Sequence, residues 1–155
     1  MVDNKIGSGK KNASGIQMTA LESVAGFHVR KAVLRAQSTF ATAAGKKMMA
    51  GQYSVMAIIN ENPGHTQSAI AEAAGLDRSS LVPILNNFEK EGLILRAPVK
   101  GDKRAYAVRL TKKGERELAM LEEKVSEIEA KVIAGLGAED HRRLIELLKR
   151  YHDIL

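Results

Sequence analysis

The stretch from Thr66 to Gly114, TQSAIAEAAGLDRSSLVPILNNFEKEGLILRAPVKGDKRAYAVRLTKKG, constrains the fold more than any other part of the chain. Thr66 is placed to cap a helix, because its hydroxyl can accept one of the backbone N–H groups that a first turn leaves unpaired. The alanine-rich run Gln67 to Ala74 favours a helix. Gly75 can take the left-handed conformation that ends it, and Asp77 can cap the next helix. Ala71 is small where the second helix must cross closely. So short a joint forces a steep crossing.

In that second helix Leu81, Ile84, Leu85 and Phe88 recur at three- and four-residue spacing, so they share a face suited to a small core. At about 100° per residue, Ser79, Pro83, Asn86, Asn87 and Lys90 fall on the opposite side, flanked by Ser80 and Val82. Hydroxyls and amides on an exposed helix face are groups that read base edges and phosphates. Proline inside a helix costs roughly 3 kcal/mol. Pro83 is therefore either a kink tolerated early in the helix or an apolar contact for a thymine methyl.

After Gly92, the runs Ile94–Ala97 and Ala105–Leu110 read as two strands around a turn at Lys100–Lys103, where Gly beside Asp is turn chemistry. Between Ile94 and Leu110, Arg96, Lys100, Lys103, Arg104 and Arg109 meet one acid, Asp102, a net +4. A thin basic hairpin suits phosphates and a narrow minor groove. The pattern predicts a mainly α fold with a small β wing, a winged helix-turn-helix. Such a module lays its second helix in the major groove of double-stranded DNA.

Asp102-Lys103-Arg104, then Leu110-Thr111, then Gly114 match a D-x-R…L-T-x-x-G signature, and Gly75–Ile94 is similar to the recognition helix that precedes it. From about Phe27 to the C-terminus the chain resembles the MarR family of bacterial transcription regulators. The resemblance implies a winged-helix homodimer on a pseudo-palindromic operator, usually released by a small-molecule effector and most often a repressor. Carried over residue by residue, Arg104 is the wing-tip residue near the minor groove, and Asp102 positions it through a charge-assisted bond. Ser79, Ser80, Pro83, Asn86 and Asn87 would meet the major groove. Lys90, Lys100, Lys103 and Arg104 would hold the backbone or enter the minor groove.

Composition agrees with a polyanionic partner: the 155 residues carry a net charge of +6, with a pI near 9.6. Only 4% of residues are aromatic and none is Trp, which argues against stacking on single strands. With no cysteine there is no disulfide, no thiolate metal site and none of the cysteine-based peroxide sensing found in some of the family. No run has transmembrane length and the N-terminus lacks a signal-peptide core, so a cytoplasmic protein without membrane contact is expected.

Three regions are expected: a flexible basic arm at 1–16, helical dimerisation segments at 17–47 and 112–155, and the DNA-binding domain at 48–111. One helix should run from about Thr19 to Ala44, with Leu21, Ala25, Val29, Ala32, Val33, Ala36 and Phe40 in an apolar stripe. Gly45 should break it. The resemblance makes this helix part of the dimer layer and the roof of an effector pocket. Its candidate residues are His28 and Arg30, with Met48, Met49, Tyr53 and Met56 from the segment that follows. Lys31, Lys46 and Lys47 are further cations for a carboxylate or phosphate. Flexible methionines can repack around a ring, although such a cluster serves a plain core equally well. Effectors implied by analogy are aromatic acids, phenols or aromatic acyl-CoA thioesters.

Leu118, Leu121, Val125, Ile128 and Val132 form a heptad-like seam. Gly135 and Gly137 should end that helix, and Glu139 or Asp140 should begin the last, with Leu144, Leu148, Tyr151 and Leu155 on one stripe. One lobe cannot cover both helices, and a two-fold dimer is the economical solution. It would set two recognition helices about 34 Å apart. His28, His65, His141 and His152 are scattered without metal-ligand spacing. No G-x-S-x-G and no phosphate-cradling glycine motif is present. No enzyme, cofactor or metal is expected. A transcriptional activator remains an alternative, as does a winged helix used for protein contacts without operator binding, against which the basic wing counts.

Overall fold

Side-chain oxygens begin three of the six α-helices among the described residues, and left-handed glycines punctuate the rest. The computed structural model describes residues 15–45, 51–99 and 102–155, with side chains described except at 99 and 102–105. The order is a 3₁₀ turn at Thr19–Leu21, α1 (Ala25–Ala43), α2 (Gln52–Glu61), α3 (Gln67–Ala73), α4 (Arg78–Lys90), β1 (Ile94–Val99), β2 (Asp102–Leu110), α5 (Lys112–Leu136) and α6 (Ala138–Ile154). The chain divides into two compact units, Met1–Thr39 and Phe40–Leu155.

In the N-terminal unit the helix expected from Thr19 is interrupted. Backbone bonds from Leu21 to Met18 (2.8 Å), Val24 to Leu21 (3.1 Å) and Phe27 to Val24 (3.1 Å) give tight three-residue steps leading into the first turn of α1. The Glu22 carbonyl, which a continuous helix would pair with a backbone N–H, lies 2.9 Å from His28 Nε2 instead. Gly45, at φ +66°, stands just beyond the end of α1, as its placement in the sequence required.

The second unit is built on one apolar cluster. It joins Val55, Met56 and Ile59 of α2, Ile70 and Ala71 of α3, Leu81, Ile84, Leu85 and Phe88 of α4, Leu93, Ile94, Val108, and Leu118 and Leu121 of α5. The α4 residues in it are the four that the helical spacing assigned to a core face. Thr66 Oγ1 caps α3 through Ala69 N (3.3 Å) and Asp77 Oδ1 caps α4 through Ser80 N (2.7 Å). Gly75, at φ +63°, makes the turn between them.

The wing strands pair antiparallel with Ile94 opposite Leu110 and Arg96 opposite Val108; the register shifts between Pro98 and Val99. They run further than the sequence suggested, so Asp102 and Lys103 lie in β2 and not in the turn. The segment before α3 pairs with the same strand. Gly64 N donates to Val108 O (2.9 Å), Val108 N donates to His65 O (3.0 Å), and Thr66 bridges Ala107. The helix-turn-helix is thereby stapled to the wing at its first residue.

Thr111 joins the wing to α5. Its hydroxyl donates to Gly92 O (2.8 Å) and accepts from Gly114 N (3.0 Å), while its own N–H donates to Leu93 O (2.9 Å). A Cβ on Gly114 would overlap the Leu93 carbonyl oxygen and come within 3.0 Å of that carbon. The L-T-x-x-G element is therefore a packing joint between the end of α4 and the start of α5. At the far end Gly135 lies inside α5 and only Gly137 ends it. The last helix starts at Ala138, slightly before the expected Glu139 or Asp140, and none of its residues is buried. His141 Nε2 lies 2.8 Å from Glu129 Oε2 and ties the two helices together.

Candidate nucleic-acid interface

Burying Leu81, Ile84, Leu85 and Phe88 turns the other side of α4 to solvent. Ser79, Ser80, Pro83, Asn86 and Lys90 are all exposed there, and Asn87 is half-buried. The helix runs unbroken through Pro83, because packed residues on both sides of it hold the backbone in place. Two of the polar side chains are oriented by neighbours. Asn86 Oδ1 accepts from Arg96 Nη2 at 2.9 Å, and Asn87 Nδ2 donates to Glu91 Oε1 at 2.9 Å.

The start of α4 is held by its own acid. Asp77 Oδ1 accepts from Ser79 Oγ and from Ser80 N, each at 2.7 Å, and these bonds hold its carboxyl below the ordinary carboxylate range. A depressed folded pKa means that the cap's contribution is complete above the ordinary range and is lost as pH falls through the folded value. Asp77→Asn, which still offers an oxygen, should match the wild type near neutrality and lose less stability on acidification. Thermal melts across the acid limb check this; identical acid limbs would show that the carboxylate bonds contribute nothing to folding.

A groove of about 780 Å³ opens between the helix-turn-helix and the wing, with Thr66, Gln67, Ser68, Arg78, Val82 and Tyr106 among its walls. Gln67, Ser68, Arg78 and Tyr106 did not emerge from the sequence reading. Arg78 was findable, as the first residue after the Asp77 cap. Tyr106 was not, because its position beside α3 depends on the pairing of the pre-α3 segment with β2.

The wing's charge is distributed differently from the simple count. Strand alternation puts Arg96 on the same face as buried Ile94, so its guanidinium turns to α4, with Nε 3.5 Å from Glu89 Oε2 and the side chain only 16% exposed. Arg96 is thus withdrawn from the basic surface. Arg109, opposite Leu95, is exposed on the other face. Lys100 lies outside the described residues. Lys103 and Arg104 have their backbone in β2 while their side chains lie outside the description.

The effector candidates are spread across the chain. His28 and Arg30 are exposed on α1 in the N-terminal unit; Met48 and Met49, with Lys46 and Lys47, lie outside the described residues. Tyr53 is half-buried with its ring centroid 5.9 Å from that of Phe40. Burial pushes its phenol pKa up, assisted by the charges of Glu122 and Glu61. Met56 is sealed in the core at 1% exposure. Among the described residues no group of acids and histidines could hold a metal ion, and no helix is long and apolar enough to cross a membrane.

Comparison with known proteins agrees with this geometry. The MarR family profile matches residues 49–106. A candidate transcriptional regulatory protein for the hcr operon of Thauera aromatica is 36% identical over 129 residues, covering 82% of this chain and 78% of the relative. The transcriptional repressor CouR bound to a 23-mer DNA duplex superposes with a TM-score of 0.81 at 27% identity, covering 88% of this chain and 98% of that one. CouR bound to p-coumaroyl-CoA gives 0.80 at 26% identity, over 88% and 97%. With its capped helix pair, paired wing and Thr111–Gly114 joint, the chain belongs to the MarR family: it is a winged-helix, DNA-binding transcriptional regulator and not an enzyme.

Proposed function

We propose that the chain is a cytoplasmic, ligand-responsive repressor that binds a pseudo-palindromic operator as a homodimer. The observation that carries this reading is the division of α4 into a fully buried apolar face and an exposed polar face beside the wing. Support for the repressor and effector roles comes from CouR, which has been seen with DNA and with p-coumaroyl-CoA. In this reading residues 48–111 bind DNA and residues 17–47 and 112–155 pair the subunits, while the basic arm expected at 1–16 falls, but for Gly15 and Ile16, outside the described residues. Ser79, Ser80, Pro83, Asn86 and Asn87 face the major groove. Lys90, Lys100, Lys103 and Arg104 hold phosphates or reach the minor groove, and Arg78 and Tyr106 line the groove between the helix-turn-helix and the wing.

The effector class that fits is an aromatic acid, a phenol or an aromatic acyl-CoA. His28, Arg30, Met48, Met49 and Tyr53 are its candidate contacts, and Met56 takes part only by leaving the core. Release follows from population shift: the effector must favour a dimer whose two α4 helices no longer match successive half-sites. An effector with equal affinity for both arrangements switches nothing.

Arg104→Ala should weaken operator binding roughly tenfold at moderate salt and reduce the salt slope by about one, because one phosphate or minor-groove charge is lost. Binding titrations at several salt concentrations check this. Unchanged affinity would remove Arg104 from the interface. Adding aromatic acids and acyl-CoA thioesters to the preformed complex tests the effector class, since one of them should release the DNA.

A further inference from the structure

A side chain on the wing controls how the recognition helix presents an amide. Arg96 comes from β1, on the face of the sheet that carries buried Ile94, and reaches Asn86 and Glu89, which are one turn apart on α4. Its Nη2 donates to Asn86 Oδ1 at 2.9 Å. Its Nε is buried without a hydrogen-bond acceptor among the described residues, with the Glu89 carboxylate 3.5 Å away. A guanidinium has only donors, so the amide atom facing it must be the oxygen. That settles an orientation that is otherwise ambiguous for asparagine. The NH₂ end of exposed Asn86 is then the end turned away from the wing.

We propose that Arg96 is a positioning residue for base recognition: it holds the carbonyl end of Asn86 and so makes Asn86 a hydrogen-bond donor to DNA. The role rests on α4 being the recognition helix. In the major groove acceptors are offered by guanine O6 and N7, thymine O4 and adenine N7, whereas cytosine offers only its amino donor. Asn86 accordingly favours an acceptor-bearing base and disfavours cytosine. Arg96 acts without touching DNA, although it stands in a basic hairpin where a phosphate contact would be the simpler assignment.

The test is selection from a pool of short duplexes with randomised centres, applied to the full-length wild type, Asn86→Ala, Arg96→Ala, Arg96→Lys and Asn86→Asp. Asn86→Ala identifies the base position that Asn86 reads. Arg96→Ala should flatten preference at that same position, by roughly tenfold, while the salt slope of binding stays at the wild-type value. Arg96→Lys should recover part of the preference, since it keeps one donor toward Asn86. Asn86→Asp keeps an acceptor for Arg96 and presents a second one to DNA, so preference at that position should move to cytosine. This variant retains the Arg96 contact and carries the test alone if Arg96→Ala does not fold.

Uniform weakening across sequences with a slope reduced by about one would make Arg96 a phosphate contact and overturn the proposal. So would Asn86→Asp with unchanged preference. If the wild type enriches no sequence at all, α4 is not a recognition helix, and the reading under Proposed function falls first.

Discussion

Gly114→Ala should destabilise the protein by about 3 kcal/mol, the upper part of the usual range for overpacking a filled site. The corresponding drop in melting midpoint is about 6–12 °C for a chain of this size. The sign makes the test sharp. Gly114 lies in the first turn of α5 with φ outside the left-handed region, so alanine suits its backbone, and helix propensity alone would give a gain of about 1 kcal/mol. The added methyl meets the Leu93 carbonyl, which is backbone and cannot rotate away, and Leu110 Cβ stands 3.4 Å off on another side. Relief requires moving α5 off the end of α4, which breaks the Thr111 bonds to Gly92 and Leu93. Gly135→Ala supplies the contrast in the same helix. Nothing lies within 4 Å of its added Cβ, so a gain of about 0.5–1 kcal/mol is expected. If both alanines stabilise, the joint is loose and the close approach of α5 to Leu93 is wrong.

That joint illustrates what was legible in the chain and what was not. Thr66, Gly75, Asp77 and Gly92 act on backbone groups within a few residues of themselves, so their capping and turning roles follow from local chemistry. The α4 core face was equally plain, because periodicity and burial coincide at all four apolar positions. Thr111 and Gly114 were visible only through the family signature. Their partners, Gly92 and Leu93, are some twenty residues away, and no local rule says that a glycine in a helix start must admit a distant carbonyl. Arg96 was counted with the wing's surface charge because composition records how many cations a hairpin has. Which way each one faces depends on strand alternation and register, which put Arg96 on the face of buried Ile94, opposite Val108. Met56 shows a related ambiguity: an apolar residue at helical spacing reads the same whether it lines a pocket or closes a core, and here it closes the core. The break before α1 depends on a side chain, His28, taking up a carbonyl that propensity assigns to the helix.

Leu144→Glu combined with Leu148→Glu should convert the protein to monomers and lower operator affinity by about a thousandfold. Every residue of α6 is at least partly open to solvent, yet Leu144, Ile145, Leu147 and Leu148 are 42%, 41%, 48% and 43% exposed. Contiguous apolar surface of that kind is uncommon on a soluble monomer and marks a contact, and a two-fold partner covers it most simply because each subunit offers the same face. Burying one leucine side chain is worth about 1.5–3 kcal/mol relative to leaving it exposed. Two carboxylates placed in each copy of such a face would remove that gain and add repulsion across the axis. No α6 residue belongs to the apolar cluster, so the winged domain should keep its helices and its melting behaviour above dissociation. The loss on DNA arises elsewhere. A dimer that has seated one α4 delivers the second at high effective concentration, an advantage on the order of 10²–10⁴ that separate monomers lack. Light scattering at micromolar concentration and operator titration separate the links of this argument. A variant that remains dimeric places the subunit contact away from α6. A monomer that binds the operator at full strength breaks the connection between pairing and recognition, and with it the basis for an effector that works by changing the spacing of the two helices.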